Sequence, residues 1–116
     1  MTKNTWHTIR EGACTTVARR LPARFDVSAD AHFPKVGAAR LAHQIRQDLW
    51  RSLQKLRGFT PVVRVEAGDH GLLVTAGGQM SGRIAAGVQD NIAALLADEA
   101  RRARWIKCAG KGQGGA

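Results

Sequence analysis

Residues 34–58 read PKVGAARLAHQIRQDLWRSLQKLRG, and this stretch holds the start, the apolar stripe and the end of one long helix. At 100° per residue, its apolar side chains fall within about a third of the circumference, which is typical of a face turned towards a core. Pro34 suits a first helical turn, and Gly58 followed by Pro61 indicates a stop. We predict a helix over residues 35–57. Its apolar stripe consists of Ala38, Leu41, Ala42, Ile45, Leu49, Leu53 and Leu56.

The opposite face of this helix is polar and basic, with Arg40 and Arg51 at the ends of a row that also contains Gln44 and Gln47. Beside this row, Trp50 shares an edge with basic side chains and a histidine. An aromatic ring among cations could stack on a base, anchor a second subunit, or be covered by the chain itself. The candidate contact residues are Arg40, His43, Arg46, Trp50, Arg51 and Arg57.

Two alternating runs, residues 62–67 and 72–76, flank the turn sequence Gly-Asp-His-Gly. Pairing Ala67 with Leu72 puts Val65 opposite Val74 on one face, so we predict a hairpin over residues 62–76. A lone hairpin is marginal in water. We therefore expect a third strand near residues 24–29, where apolar and polar residues alternate, and the long helix across the apolar face.

Further along, Ile84, Val88, Ile92 and Leu95 share one face of a second predicted helix over residues 82–97. A break and a short C-terminal helix follow, and Trp105 is expected to fold back onto the core. The predicted fold class is α+β, a short antiparallel sheet packed against these helices. We expect one compact domain over residues 1–108 with a loose N-terminal arm over about 1–11, and a disordered Gly-rich tail over 109–116.

The net charge of +9 is unevenly distributed along the chain. Residues 1–24, 35–57 and 101–116 are strongly basic, whereas 58–97 has more acids than bases, and 13 of the 18 basic residues are Arg. The planar guanidinium fork suits phosphate, so DNA or RNA is the natural partner to consider. The alternative is that an Ala-, Gly- and Arg-rich composition reflects genome base composition, with Arg filling solvated surface.

Known catalytic and metal-binding motifs are not found in the sequence: it has no H-E-x-x-H, Walker A or G-x-S-x-G pattern and no zinc spacing. We expect no metal or cofactor. A strand, a Gly-rich loop and a helix start over residues 74–83 resemble a phosphate cradle in outline, since helix N-termini attract anions. Gly77, Gly78 and Arg83 are therefore a possible anion site, although such connectors are common for geometric reasons alone.

These patterns favour a small basic, non-catalytic binding protein that associates with nucleic acid without sequence preference through the Arg-rich helix face. The alternative is a homodimeric adaptor module with no nucleic-acid activity, since exposed sheet edges invite a second copy. An enzyme ranks third. No apolar run is long enough to span a bilayer and none resembles a secretory signal, so we expect a cytoplasmic protein without a membrane partner. Cys14 and Cys108 fit no disulfide or metal pattern.

Overall fold

The structure is a computed structural model that describes residues 6–114. All five strands of the described chain form one antiparallel sheet in the order β1-β2-β4-β5-β3. The helices pack on one face of it, which confirms the predicted α+β class. No helix of the described chain is long and apolar enough to cross a bilayer. The elements are β1 (His7–Glu11), β2 (Cys14–Ala18), β3 (Val27–Phe33), α1 (Ala38–Leu53), β4 (Phe59–Ala67), β5 (Leu72–Met80), α2 (Val88–Ala97) and α3 (Glu99–Gly114).

The central hairpin has the register that alternation predicts. Ala67 pairs with Leu72 and Val65 with Val74, and the Gly68 N–H donates to the Gly71 carbonyl across the turn at 2.8 Å. Both strands are longer than predicted, because pairing continues to Phe59 opposite Met80. The residues expected to form a flexible connector after β5 are therefore part of the strand itself.

The third predicted strand exists, but lies further along the chain. β3 pairs with β5 from Val27 opposite Gly78 to Phe33 opposite Leu72, so residues 30–33 extend the sheet instead of linking to the helix. β2 pairs with β4 on the other side. The β4–β5 hairpin is thus covered along both edges.

The N-terminal arm is the clearest correction at this end of the chain. Residues 7–11 form edge strand β1, which pairs with β2 through a two-residue turn that starts at Gly12 with φ of 61°. A Gly with positive φ at this position is what a type II′ turn requires. β1 has no apolar alternation because Ile9 is its one apolar residue. Residues 1–5 lie outside the described chain.

The C-terminal tail also differs from the prediction. α3 runs to Gly114, through most of the segment predicted to be disordered, and residues 115–116 lie outside the described chain. The helix is held by tertiary contacts: Ala109 is fully buried, and its carbonyl accepts the Gly37 N–H at 3.4 Å. Packing of this kind outweighs the low helix propensity of glycine.

α1 and α2 are both shorter than the helices predicted over residues 35–57 and 82–97. α1 ends at Leu53 because the chain turns over residues 54–58, where Gly58 has φ of 76° and leads directly into β4. Before α2, Gly82 and Gly87 both have positive φ, so residues 82–87 are not helical and Ile84 is exposed.

The core lies between the sheet and the helices. Most of the predicted stripe is buried, namely Leu41, Ala42, Ile45, Leu49 and Leu53, whereas Ala38 and Leu56 are partly buried and Leu56 lies beyond the end of α1. Trp105 of α3 is fully buried, and its ring centroid lies 6.1 Å from that of Phe33. On the outer face of the sheet, the described chain places no helix. Residues 19–26 cross one end of that face, where the Gln79 amide donates to the Pro22 carbonyl at 3.1 Å and Arg64 lies over the Phe25 ring.

Candidate nucleic-acid interface

The outward row of α1 is present as the sequence indicates. Arg40, Gln47 and Arg51 are exposed and Gln44 is half-buried. These residues recur at three- and four-residue intervals, so they follow one side of the helix. The opposite side is the buried stripe, and the row therefore points away from the sheet. It is the longest stretch of predicted contact surface that remains open.

The one acidic residue in α1, Asp48, does not contribute to this outer row. It is only 8% exposed, and its Oδ2 accepts a hydrogen bond from the Trp105 indole Nε1–H at 2.6 Å. The same carboxylate is paired with the guanidinium of Arg104. A buried carboxylate needs such partners, because an unpaired charge in a core is costly. The negative charge of α1 is consequently directed towards α3 and compensated there.

The predicted edge around Trp50 is arranged differently. The guanidinium carbon of Arg46 lies 4.5 Å from the centroid of Trp6, so Arg46 makes its cation–π contact with the residue before β1. Its Nε is buried and has no hydrogen-bond partner in the described part of the chain. Burial also lowers the pKa of Arg46 from its usual value. Arg46 is therefore committed to the N-terminal segment, and is not free to bind a ligand together with Trp50.

His43 is tied to the same segment. Its Nε2 lies 3.1 Å from the Thr8 hydroxyl of β1, within hydrogen-bond distance. Burial lowers the pKa of His43 from its ordinary value of 6.5, and the charge of the neighbouring Arg46 lowers it further. Arg40, His43, Gln44 and Cys108 line a shallow cavity of about 420 Å³ where the end of α3 meets the start of α1. Of the predicted edge, His43 and Arg46 thus contact the chain's own N-terminal segment, His43 through Thr8 and Arg46 through Trp6.

Trp50 itself is half-buried, and Arg57 is exposed but lies beyond the end of α1. The sequence predicts that Arg57 lies within the helix over residues 35–57, but it does not continue the edge of Trp50, because the chain has already turned towards β4. The six residues predicted as one contact site therefore separate into three groups. Arg40 and Arg51 lie on the exposed outer row. His43 and Arg46 contact the N-terminal segment, and Trp50 and Arg57 belong to neither group.

The possible anion site does not have the loop on which it was based. Gly77 and Gly78 are paired in β5, between β3 and β4. A Cβ on Gly77 would lie 1.9 Å from the Val27 carbonyl oxygen, and one on Gly78 would lie 2.2 Å from the Thr60 carbonyl oxygen. The glycines are there because neighbouring strands approach closely. Arg83 lies beyond the strand, exposed in the irregular segment before α2.

Sequence reasoning missed the contacts between α3 and the rest of the fold. Besides the Asp48 pair, Arg102 lies with its guanidinium carbon 4.0 Å from the Phe33 ring centroid and donates to the His32 carbonyl at 2.6 Å. Asp98 caps α3 by accepting the Arg101 N–H at 3.0 Å. Several basic residues of the C-terminal run therefore have a structural role. Lys107 is exposed, and it adds positive charge to the helix layer, by which we mean α1, α2 and α3 on one face of the sheet.

Within the described residues, no three His, Cys, Asp or Glu side chains lie close enough together to bind a metal ion. In comparisons with known proteins, no family model, curated protein or solved structure matches the chain.

Proposed function

We propose that the protein associates with nucleic acid, without sequence preference, through the outer surface of α1. One observation carries the proposal: Asp48, the single acid of this helix, is buried against α3, so the outer row carries charge of one sign only. Arg40 and Arg51 supply the guanidiniums, and Gln44 and Gln47 supply neutral hydrogen-bonding groups between them. Arg and amide side chains are among those that contact phosphate oxygens.

The rest of the helix layer supports this role electrostatically. The Arg104 side chain is 53% exposed despite its pair with Asp48, and Lys107 is exposed one turn further along α3. A surface with excess positive charge attracts the phosphate backbone over distances of about 10 Å at moderate salt. The charge distribution and the missing readout motif both favour backbone contact over base recognition.

The proposal is tested by fluorescence anisotropy with a labelled duplex of random sequence, over about 50 to 200 mM salt. We expect affinity to fall steeply as salt rises. Arg40→Gln/Arg51→Gln should weaken binding and reduce the salt slope by about one unit per lost phosphate contact. The matched control is Arg20→Gln/Arg83→Gln, which removes the same charge from exposed positions outside the helices.

Two results would count against the proposal. One is the lack of an anisotropy change at low salt with protein at tens of micromolar, roughly the weak end of non-specific binding. The other is an equal loss of affinity in the site variant and the control variant, which would show that total charge and not α1 governs binding.

A second candidate function, a homodimeric adaptor without nucleic-acid activity, is favoured by the edge position of β1. A two-fold axis at Ile9 would pair β1 antiparallel with a second copy and put His7 opposite Glu11 of the partner subunit. Such pairing would satisfy the open backbone edge and join two sheets into one. Each end of the paired strands would then have an imidazole opposite a carboxylate, two groups that can form a hydrogen bond.

Light scattering over a hundredfold dilution tests this alternative. Ile9→Lys would put like charges opposite each other at the axis and should dissociate the dimer. Ile84→Lys, at an exposed apolar position away from the sheet edge, is the control and should not. A monomer at all concentrations would remove the adaptor proposal.

We propose a cytoplasmic location for the protein, whether it binds nucleic acid or acts as an adaptor. Cys14 and Cys108 are both free thiols, and reducing compartments keep thiols free.

A further inference from the structure

We infer that the ligand of the helix layer is double-stranded DNA, with α1 lying across the major groove and its terminal arginines on the phosphates of the two walls. This inference rests on the proposed function and specifies its substrate. It is carried by two independent features: no aromatic ring of the described chain is exposed, and Arg40 and Arg51 are widely spaced on one helix.

Proteins that bind single strands without sequence preference stack bases on exposed aromatic rings. The chain has three Trp, three Phe and no Tyr, all six within the described residues, and none of the six is exposed. Trp105, Phe33 and Phe59 are buried in the core.

The remaining three aromatic rings are half-buried, and two of them already have a cation on one face. Arg46 lies over Trp6, and Arg64 lies over Phe25 on the far side of the sheet. Trp50 is left, but it lies on the edge of α1 shared with His43 and Arg46, beside the open row and not within it. The helix layer therefore offers charge and amides without a stacking platform, which suits stacked and paired bases.

The separation of the two arginines is greater than the width of a duplex groove. Arg40 and Arg51 are eleven residues apart on one continuous helix, which corresponds to about 16 Å along the axis. The major groove of B-form DNA is about 12 Å wide. Two guanidiniums at this separation can reach phosphates on opposite walls, while Gln44 and Gln47 lie between them over the groove.

The flanks of α1 determine how the helix can approach. On one side His43 contacts Thr8 of β1, and on the other Asp48 contacts Trp105 of α3. With both sides occupied, α1 presents a single row and cannot insert deeply between the strands of a duplex. We therefore expect α1 to contact only the DNA backbone on the two sides of the groove. Such contacts carry no direct sequence information.

The experiment compares one labelled sequence as DNA duplex, DNA single strand and RNA duplex, whose major groove is deep and narrow. We expect the DNA duplex to bind at least about fivefold more tightly than either of the others. Trp50→Leu should leave duplex binding unchanged. Gln47→Arg/Arg51→Gln keeps the net charge but brings the two Arg positions to about 10 Å apart along the helix axis, which is less than the groove width of about 12 Å. It should weaken duplex binding at least about threefold, with an unchanged circular dichroism spectrum.

The outcomes separate the two proposals. If none of the three nucleic acids binds, the proposed function itself fails. If the single strand or the RNA duplex binds as tightly as the DNA duplex, nucleic-acid association stands but the inference made here is wrong. An unaltered duplex affinity in Gln47→Arg/Arg51→Gln would overturn the groove-spanning geometry in the same way.

Discussion

The carboxylate of Asp48 in α1 accepts the indole N–H of the fully buried Trp105 in α3 at 2.6 Å. This contact joins two helices whose residues are far apart in sequence. It also turns the only acid of α1 away from the outer row, so one hydrogen bond serves both the packing of the helix layer and its surface charge. Stability and the proposed function therefore depend on the same side chain.

Replacing Asp48 with alanine should lower the free energy of unfolding by about 1–3 kcal/mol, because the buried indole N–H would lose its acceptor. Asp48→Asn retains an acceptor oxygen and should cost less. Urea denaturation measures both. The control is Asp90→Ala, an exposed acid in the first turn of α2, whose loss should be small. If the Asp48 and Asp90 variants lose the same stability, the Trp105 contact does not have the role assigned to it.

Acidification should destabilise the protein through His43. Its pKa in the folded protein is below the ordinary 6.5, because of burial and then the charge of Arg46. Above about pH 6.5 the imidazole is neutral in both states and the contribution is fully present. As pH falls through this value the unfolded chain binds the proton first, so stability is lost until the folded pKa is also passed.

His43→Gln should flatten the stability profile below about pH 6.5, where the unfolded imidazole begins to bind a proton. The groups that face this imidazole are Arg46 on its own helix, Thr8 of β1, and Arg40 and Cys108 around the neighbouring cavity. Asp26 also has a lowered pKa, because of hydrogen bonds from the Met80 N–H and from Arg24, but its contribution is lost only below about pH 3.8. An unchanged profile in His43→Gln would show that another group is responsible.

The sequence predicts the middle of this fold well and its edges poorly. The β4–β5 register follows from alternation, since a slip of one residue would expose Val65 and Val74. β1 carries no such pattern, because an edge strand with one apolar residue has little to bury. Gly77 and Gly78 look like a flexible loop in sequence, whereas in the sheet they allow strands to approach closely, a property of neighbours that only the fold supplies.

Gly77→Ala should therefore destabilise the protein, by an amount of the order of the 1–3 kcal/mol typical of overpacking or more. The new Cβ would meet the Val27 carbonyl, a backbone atom that cannot move aside without breaking strand pairing. Gly110→Ala is the matched control. Its Cβ would lie 3.8 Å from Val36 Cγ1, an ordinary contact, and alanine favours helix, so this change should be neutral or stabilising. A tolerated Gly77→Ala would restore the loop interpretation.

The candidate site was predictable only in part, for a similar reason. The outer row of α1 follows from helical spacing, and the structure presents it as expected. The burial of His43 and Arg46 was not predictable, because the residues that cover them, Thr8 and Trp6, belong to a segment without periodicity. Nor does any local signal link Asp48 to Trp105, since contacts between distant elements depend on how the helices pack.

The two tryptophans of the helix layer should respond very differently to truncation. Trp105→Ala should cost about 3–5 kcal/mol, because the indole is fully buried, and its removal leaves a cavity and takes one hydrogen bond away from the Asp48 carboxylate. Trp50→Ala removes a half-buried ring on the flank of α1 and should cost less in urea denaturation.

If Trp50→Ala costs as much stability as Trp105→Ala, Trp50 belongs to the core of its own subunit. If stability is kept but light scattering shows that a dimer dissociates, the ring is an interface anchor. If binding of single-stranded DNA alone is lost, Trp50 stacks on bases, and the preference for a duplex argued from the shortage of exposed aromatic rings is wrong.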